Sequence, residues 1–244
     1  MVTGATAGIG LETAKLFASQ GWNLYITGRR MARLEELAGE LHKAHGSEVR
    51  PLIFDVGDRE ACQKQLESVG PIHCLVNNAG LALGAEPFYE GELEDWDRMI
   101  DTNVKGLLYV SRLLIPKLME QAPSQIVNVG SVAGRYAYPG GAVYNATKFA
   151  VRAISESLRM DLLGKKVRVT NVEPGMVETE FSRVRFKDDQ QKADNVYRGM
   201  TPLTANDIAE TILWCVNRPE HVNVQELVIY PTEQASVYHV HRSE

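Results

Sequence analysis

Apolar residues along the chain follow two different spacings. Short runs rich in β-branched side chains predict strands at Asn23–Thr27, Glu48–Phe54, His73–Val76, Gln125–Val129, Val167–Glu173 and Glu226–Tyr230. Stretches with an apolar residue every three or four positions predict helices at Ile9–Gln20, Met31–His45, Arg59–Val69, Leu93–Gln121, Tyr144–Leu163 and Ala205–Asn217. Because strands that alternate with helices build right-handed βαβ units, we predict an α/β fold, a doubly wound and mostly parallel sheet with helices on both faces.

Two regions depart from this pattern. Only Met1, Val2 and Thr3 precede the first glycine-rich turn, whereas a central strand usually has about five residues, so we expect further residues before Met1 in the natural chain. The charged segment Thr179–Pro202 is interpreted as a mobile loop over the substrate. The remainder of residues 1–244 is predicted to form one domain.

Composition and charge exclude several classes of protein. The 244 residues suit one large domain, and 44% hydrophobic with 23% charged residues is typical of a soluble globular protein. No apolar run approaches the ~18 residues of a membrane span, and the start has no export signal, so we expect a cytoplasmic protein without a membrane partner. A net charge of -5 gives no electrostatic basis for binding nucleic acid. Three scattered cysteines and six dispersed histidines show no disulfide or metal-binding spacing.

A glycine-rich turn lies between the short first strand and the first helix. It reads Thr-Gly-Ala-Thr-Ala-Gly-Ile-Gly over Thr3–Gly10, with Thr6 at its centre. Gly4, Gly8 and Gly10 allow the backbone to approach a phosphate closely, and the helix beginning at Ile9 offers free N–H groups and a positive dipole end. An ordinary tight turn is the alternative. The position between a strand and a helix favours a Rossmann-type dinucleotide site.

The end of the second strand indicates which dinucleotide is bound. An NAD site places a carboxylate about 20 residues after the turn, but Ile26–Arg30 contains none. A guanidinium binds a 2′-phosphate bidentately, so we predict NADP, with Arg29 as the preferred ligand and Arg30 beside it. The alternative is that both arginines are solvated. At the next strand end, Asp55-Val56 is placed either to contact adenine or to cap the following helix.

Further polar residues in strand-end and helical positions suit proton transfer. Tyr144 and Lys148 are four residues apart and share one face of a helix. The pKa of a free tyrosine is about 10. A nearby ammonium and a positively charged nicotinamide are expected to lower it towards neutrality. Ser131, after the fifth strand, is placed to hold a substrate oxygen beside the phenol.

These residues together resemble the short-chain dehydrogenase/reductase family. The family pattern is TGxxxGxG, NNAG, Asn, Ser, YxxxK and PG. Its counterparts in this chain are Thr3–Gly10, Asn77–Gly80, Asn103, Ser131, Tyr144–Lys148 and Pro174-Gly175. The resemblance implies an oxidoreductase with a Rossmann fold that assembles as a homotetramer.

The resemblance also implies a role for each matching residue. Tyr144 corresponds to the general acid/base, and Ser131 to the residue that orients the substrate oxygen. Lys148 corresponds to the ribose ligand that lowers the pKa of the tyrosine, and Asn103 to the residue that holds a proton-relay water. The remaining cofactor contacts are implied at Asn78, Ala79, Gly80, Pro174, Gly175, Val177 and Thr179.

Longer segments resemble the NADP-dependent 3-hydroxy acid dehydrogenases, which act on serine or allo-threonine and reduce malonic semialdehyde. The segments are Asn77–Gly84, Asp95-Trp96, Met99–Asn103, Tyr138–Gly141, Glu173–Gly175, Thr179–Ser182, Val184–Phe186 and Pro231–Ser236. A 3-hydroxy acid needs a cation near Tyr144, and Arg185 is the first candidate, Arg135 the second. Gly141 is a further candidate for the substrate wall.

Two other functions stay open at this point. One is an NADPH-dependent reductase of an acyl-carrier-bound, sugar or apolar ketone. The other is a catalytically silent NADP sensor, which is disfavoured because Tyr144, Lys148, Ser131 and Asn103 are all present.

Overall fold

The computed structural model describes residues 1–243, and its main sheet has seven parallel strands. The strands of the described chain are β1 Val2–Thr3, β2 Leu24–Gly28, β3 Val49–Ile53, β4 Cys74–Asn77, β5 Ser124–Val129, β6 Val167–Pro174, β7 Val177–Glu178, β8 Leu203–Thr204 and β9 Glu226–Ile229. The order across the sheet is β3-β2-β1-β4-β5-β6-β9, and β7 pairs with β8 separately. The doubly wound α/β prediction is confirmed, and no predicted strand end is displaced by more than one residue.

Helices connect the strands and cover both faces of the sheet. They are α1 Gly8–Ser19, α2 Met31–His45, α3 Arg59–Leu66, α4 Leu93–Ile100, α5 Leu107–Glu120, α6 Ala142–Asp161, α7 Glu180–Arg185, α8 Gln190–Asn195 and α9 Ala205–Val216. Within the described residues, no helix is both long enough and apolar enough to cross a bilayer.

Two apolar cores lie on opposite faces of the sheet, because successive side chains of a strand point to opposite sides. Val76 and Val127 pack with α1, α2 and α9, whereas their neighbours Leu75 and Ile126 pack with α3 and α5. All four side chains are fully buried. Short apolar strands without alternation are thus explained by a sheet covered on both faces.

The predicted helix Leu93–Gln121 is not one continuous α-helix, and this expectation was wrong. Between α4 and α5, residues Asp101–Gly106 form a π-helical segment. A π segment has i→i+5 hydrogen bonds, which add about one residue to a turn and shift the phase of the helix. The apolar spacing on either side of the segment is helical, so periodicity alone merged the two helices.

The predicted loop Thr179–Pro202 contains regular structure. The hydroxyl of Thr179 accepts a hydrogen bond from the N–H of Phe181 and caps α7. The carboxylate of Asp189 accepts one from the N–H of Lys192 and caps α8. Strand β7 precedes this segment and pairs with β8, which follows it, so the two ends of the segment lie side by side.

Candidate active site

The carboxyl ends of the central strands open into one cleft of about 570 Å³. Most of the predicted site residues line it. They are Gly4, Thr6, Gly8, Ile9, Arg29, Arg30, Asp55, Val56, Asn78, Ala79, Gly80, Ser131, Tyr144, Lys148, Pro174, Gly175, Val177, Thr179 and Arg185. Gly10, Asn103, Arg135 and Gly141 do not border the cleft.

The glycine-rich turn allows a phosphate group to approach its backbone closely. Gly4 and Gly8 have positive φ angles of 67° and 53°, which favour glycine. A Cβ on Gly4 would lie 2.9 Å from the Cα of Ala79. Helix α1 begins after Ala7 without a side-chain cap and has no acidic residue in its first turn. Its N–H groups and positive dipole end therefore suit the pyrophosphate of a dinucleotide.

Gly10 has a packing role beneath the turn. A Cβ at this position would lie 2.4 Å from the carbonyl oxygen of Gly4 and 2.4 Å from Nδ2 of Asn78. The same Asn78 amide donates to the carbonyls of Thr3 (3.0 Å) and Gly4 (3.2 Å). Gly10 thus lets α1 pack on the turn that would contact the cofactor.

Three arginines surround the end of β2. Arg29 pairs with Asp55 at 3.4 Å, and Arg30 donates to the Thr6 hydroxyl from Nε (3.1 Å) and Nη2 (2.7 Å). Arg33 was missed in the sequence, although it lies one helical turn after Arg30 and the Arg-x-x-Arg spacing could have identified it. Its Nη1 lies 3.5 Å from the carbonyl oxygen of Thr6.

Asp55 does not cap α3. That role belongs to Asp58, whose carboxylate accepts hydrogen bonds from the N–H groups of Glu60 and Ala61. Asp55 instead accepts a hydrogen bond from the N–H of Gly57 (2.9 Å) and borders the cleft. The helix-cap alternative for Asp55 is therefore wrong.

Tyr144 and Lys148 lie on one face of α6, as the spacing predicted. The Lys148 ammonium lies 5.8 Å from the centroid of the Tyr144 ring and donates to the carbonyl of Val129 at 2.9 Å. Ser131 follows β5, where its hydroxyl accepts a hydrogen bond from the N–H of Ala133 at 3.1 Å. Strand β5 and helix α6 thereby hold the three functional groups at the floor of one cleft.

Burial shifts the pKa values of the two central groups in the free protein. Burial is the main cause that raises the pKa of Tyr144 above its ordinary value, while the Ser131 hydroxyl and the Arg185 guanidinium act to lower it. Burial lowers the pKa of Lys148 to about 8. Burial therefore favours the neutral phenol in the free protein. The predicted lowering of the tyrosine pKa by Lys148 together with a positively charged nicotinamide concerns the cofactor-bound protein and stays a prediction.

Asn103 lies in the π segment, and its side chain forms hydrogen bonds with other residues of the protein. Its amide donates to the carbonyl of Leu81 (2.8 Å) and the hydroxyl of Thr147 (3.0 Å), and its Oδ1 accepts from the N–H of Leu81 (2.8 Å). Both amide N–H groups are used. Asn103 therefore fixes the chain after β4 against α6 from a position behind the cleft wall.

Arg185 brings an unpaired cation to the cleft. Its guanidinium donates to the carbonyl of Gly84 (3.1 Å), the hydroxyl of Tyr138 (3.1 Å) and the carbonyl of Gly140 (3.3 Å). Among residues 1–243, no carboxylate pairs with it. A guanidinium has five N–H donors, so one on each terminal nitrogen remains for a ligand.

Arg135, the second candidate for a substrate cation, is occupied elsewhere. It forms ion pairs with Glu173, which is fully buried, and with Glu226 on β9. Breaking such a pair would leave a buried charge without compensation. Gly141 lies under Tyr138, where a Cβ would come within 2.4 Å of the ring. Both residues support the wall of the cleft without facing its interior, which corrects their assignment as substrate ligands.

Several lining residues come from distant segments and were not among the site residues predicted from the sequence. Phe181 packs against Tyr144 with ring centroids 5.6 Å apart. Tyr197 donates to the carbonyl of Val177 at 2.8 Å, and Gln234 accepts a hydrogen bond from the N–H of Met176 at 2.8 Å. The segment after Gly175 is thus held by contacts with α6, with the residue range after α8 and with the carboxyl-terminal part of the chain.

Comparison with known proteins finds relatives over nearly the whole chain. The model of the family described as short chain dehydrogenase matches residues 1–190. The chain is 48% identical to sulfoacetaldehyde reductase 2 of Chromohalobacter salexigens over 96% of its length and 94% of the relative's. It is 46% identical to the NADP-dependent 3-hydroxy acid dehydrogenase YdfG of Escherichia coli K12, over 99% and 98% of the two chains.

A solved structure is similar over nearly the whole chain. The closed form of serine dehydrogenase complexed with NADP⁺ superimposes with a TM-score of 0.93 at 46% identity, covering 99% of this chain and 98% of the other.

Proposed function

The chain belongs to the short-chain dehydrogenase family, and on that premise we propose that it interconverts small 3-hydroxy acids and the corresponding 3-oxo acids. It is an NADP-dependent oxidoreductase of this family, like the relatives at 46% identity that carry NADP in their names. The observation that carries the substrate class is the unpaired guanidinium of Arg185 in the same cleft as Tyr144.

The cleft has groups that suit the phosphates of the cofactor. The uncapped start of α1 and the positive-φ glycines suit the pyrophosphate. Arg29 and Arg30, both predicted from the sequence, and the neighbouring Arg33 suit a 2′-phosphate. When bound, NADP⁺ supplies the hydride acceptor and a positive charge beside Tyr144. That charge opposes the burial that raises the pKa of the phenol, so it favours release of the phenolic proton.

Tyr144 is proposed as the acid/base of the reaction. In the direction of oxidation, the phenolate removes the hydroxyl proton of the substrate while the carbinol carbon loses a hydride, and a carbonyl forms. In the direction of reduction, the neutral phenol donates its proton to the carbonyl oxygen. Ser131 is proposed to hold that oxygen, and Lys148 the ribose of the cofactor. Asn103 holds the chain around Leu81, and the family resemblance implies that it also holds a relay water.

Arg185 is proposed to bind the acidic group of the substrate. In a 3-hydroxy acid the carboxylate is attached to the carbon next to the carbinol carbon, so the two groups are close together. The two remaining N–H donors of the guanidinium suit the two oxygens of a carboxylate. L-Serine, allo-threonine and 3-hydroxypropionate share this arrangement, and malonic semialdehyde is the corresponding aldehyde.

A second candidate substrate is sulfoacetaldehyde, which one relative at 48% identity reduces according to its name. Its sulfonate is attached to the carbon next to the aldehyde, as the carboxylate is in malonic semialdehyde. The guanidinium of Arg185 would bind either anion. The two substrates differ in the shape of the head group, since a sulfonate is tetrahedral and a carboxylate planar.

A substrate panel tests the proposal. NADP⁺ reduction is measured with 3-hydroxypropionate, L-serine, allo-threonine and the neutral alcohol 1-propanol, and NADPH oxidation with malonic semialdehyde, sulfoacetaldehyde and a bulky neutral ketone. We expect the acidic substrates to have the higher kcat/KM in both directions. A preference for the bulky ketone would favour a general carbonyl reductase. Cofactor binding without turnover of any substrate would favour a sensor.

We also propose a homotetramer, as the family resemblance implies. Exposed apolar side chains on α5 and α6 support this, among them Phe149 (42% exposed) and Met160 (66% exposed). Light scattering at several protein concentrations tests the assembly, and a monomeric mass throughout would refute it.

A further inference from the structure

An acidic side chain of the protein itself occupies the arginine cluster at the cofactor end of the cleft. Oε2 of Glu180 lies 2.9 Å from Nη1 of Arg30, and Oε1 lies 2.8 Å from Nη1 of Arg33. Arg30 is held from its other side by the Thr6 hydroxyl. Two guanidiniums therefore converge on one carboxylate, each oxygen of which accepts one hydrogen bond.

The arrangement has the chemistry of an anion site that the chain itself fills. The third arginine, Arg29, faces Asp55 at 3.4 Å, so all three cations at this end have an acidic partner. Burial raises the pKa of Glu180, but the hydrogen bonds and charges of Arg30 and Arg33 outweigh it, and the net pKa is lowered. The carboxylate is thus held in its charged form.

A phosphate cannot join this cluster without opposition. A 2′-phosphate carries up to two negative charges and would bind the same two guanidiniums that Glu180 neutralises. Two like charges at about 4 Å repel each other, more strongly near a protein surface than in water. A dinucleotide without the phosphate brings no such charge and can leave the Glu180 ion pairs intact.

We propose that Glu180 is a specificity-determining residue that competes with the 2′-phosphate of NADP for Arg30 and Arg33. It neutralises the two cations when no phosphate is bound, and it limits the preference for NADP over NAD. This inference rests on the proposed function, because it presupposes an NADP site at the end of β2.

The test is the binding of two adenosine ligands that differ only in the 2′-phosphate. Isothermal titration calorimetry measures 2′,5′-ADP and 5′-AMP with the wild type, with Glu180→Gln and with Glu178→Gln. Glu178 is an exposed acid two residues away that does not border the cleft, so its replacement controls for the change in net charge. Glu180→Ala serves as a second variant that removes the carboxylate in a different way.

We expect Glu180→Gln and Glu180→Ala to bind 2′,5′-ADP about fivefold more tightly than the wild type, the size expected for two exposed ion pairs. Their affinity for 5′-AMP should stay within about twofold, and Glu178→Gln should resemble the wild type. The ratio of the dissociation constants for NAD⁺ and NADP⁺ should rise by the same factor. Raising the salt concentration should shrink the difference, because these groups are screened.

Unchanged or weaker binding of 2′,5′-ADP by both Glu180 variants would overturn the inference. Weaker binding would mean that Glu180 holds the arginines in place for the phosphate. The proposed cofactor is tested separately, because a wild type that binds 2′,5′-ADP no better than 5′-AMP, with no gain in the variants, would refute the NADP site itself.

Discussion

Replacing Arg185 by methionine removes a guanidinium that borders the cleft beside Tyr138 and, among residues 1–243, pairs with no carboxylate. Three of its five N–H donors are used by Gly84, Tyr138 and Gly140, which leaves two for a carboxylate. Hydrogen bonds to a charged group contribute about 1.5–3 kcal/mol. The two hydrogen bonds from Arg185 to the substrate carboxylate form in a partly exposed site, so we expect their loss to cost about 2–3 kcal/mol of binding free energy. This corresponds to about a 30- to 160-fold loss of kcat/KM.

The assay is steady-state reduction of NADP⁺ with 3-hydroxypropionate and, as an internal control, with 1-propanol. The loss should appear mainly in KM for the acid, while the slow oxidation of the neutral alcohol should be little changed. Arg183→Met is the matched control, because Arg183 lies on the same helix, is exposed and has no side-chain hydrogen bond among the described contacts. An unchanged KM for the acid in Arg185→Met would refute the proposed role. An equal loss for both substrates would indicate a disturbed cleft wall instead.

Two further predictions concern the buried pair on α6. Tyr144→Phe should abolish turnover while calorimetry still detects NADP⁺ binding, because only the proton carrier is removed; turnover above about one-tenth of wild type would contradict its role. Lys148→Met should stabilise the free protein, since the pKa of this lysine falls from 10.5 to about 8 on folding and its protonation therefore opposes folding. The wild type has this penalty in full below pH 8 and loses it as the pH rises through 10.5. In urea unfolding, the increase in the free energy of unfolding that Lys148→Met causes should therefore be about 2 kcal/mol larger at pH 7 than at pH 10. An equal gain at both values would show that the lysine is not perturbed as described.

Local patterns were enough to predict most of the fold. Strands such as β5 are short, apolar and bounded by polar or glycine residues, so composition and period agree on their ends. The glycine-rich turn and the Tyr144–Lys148 pair could be predicted because each depends on residues a few positions apart. These local signals brought the cofactor and catalytic candidates to the same edge of the sheet, where parallel strands end together.

Features that depend on contacts distant in sequence could not be predicted. Arg135 was predicted as a substrate cation because no residue near it in the sequence indicates that Glu226, on the edge strand β9, is its partner. Glu180 lies 150 positions after Arg30, yet the two side chains meet. The two short helices of the segment 180–195 were missed because each has only six residues, too few to show a period.

The π segment at Asp101–Gly106 makes the length of this part of the chain a functional constraint. Each residue of a helix turns the chain by about 100°, so deleting one codon here would restore a regular α-helix and rotate everything on one side of it. Asn103 would then lose Leu81 and Thr147, or Leu114 would leave the apolar core beneath the sheet. Deleting one residue of the π segment should therefore reduce the stability of the protein far more than a substitution at most of its positions. A sequence alignment that places a gap within the π segment would pair residues that do not occupy equivalent positions.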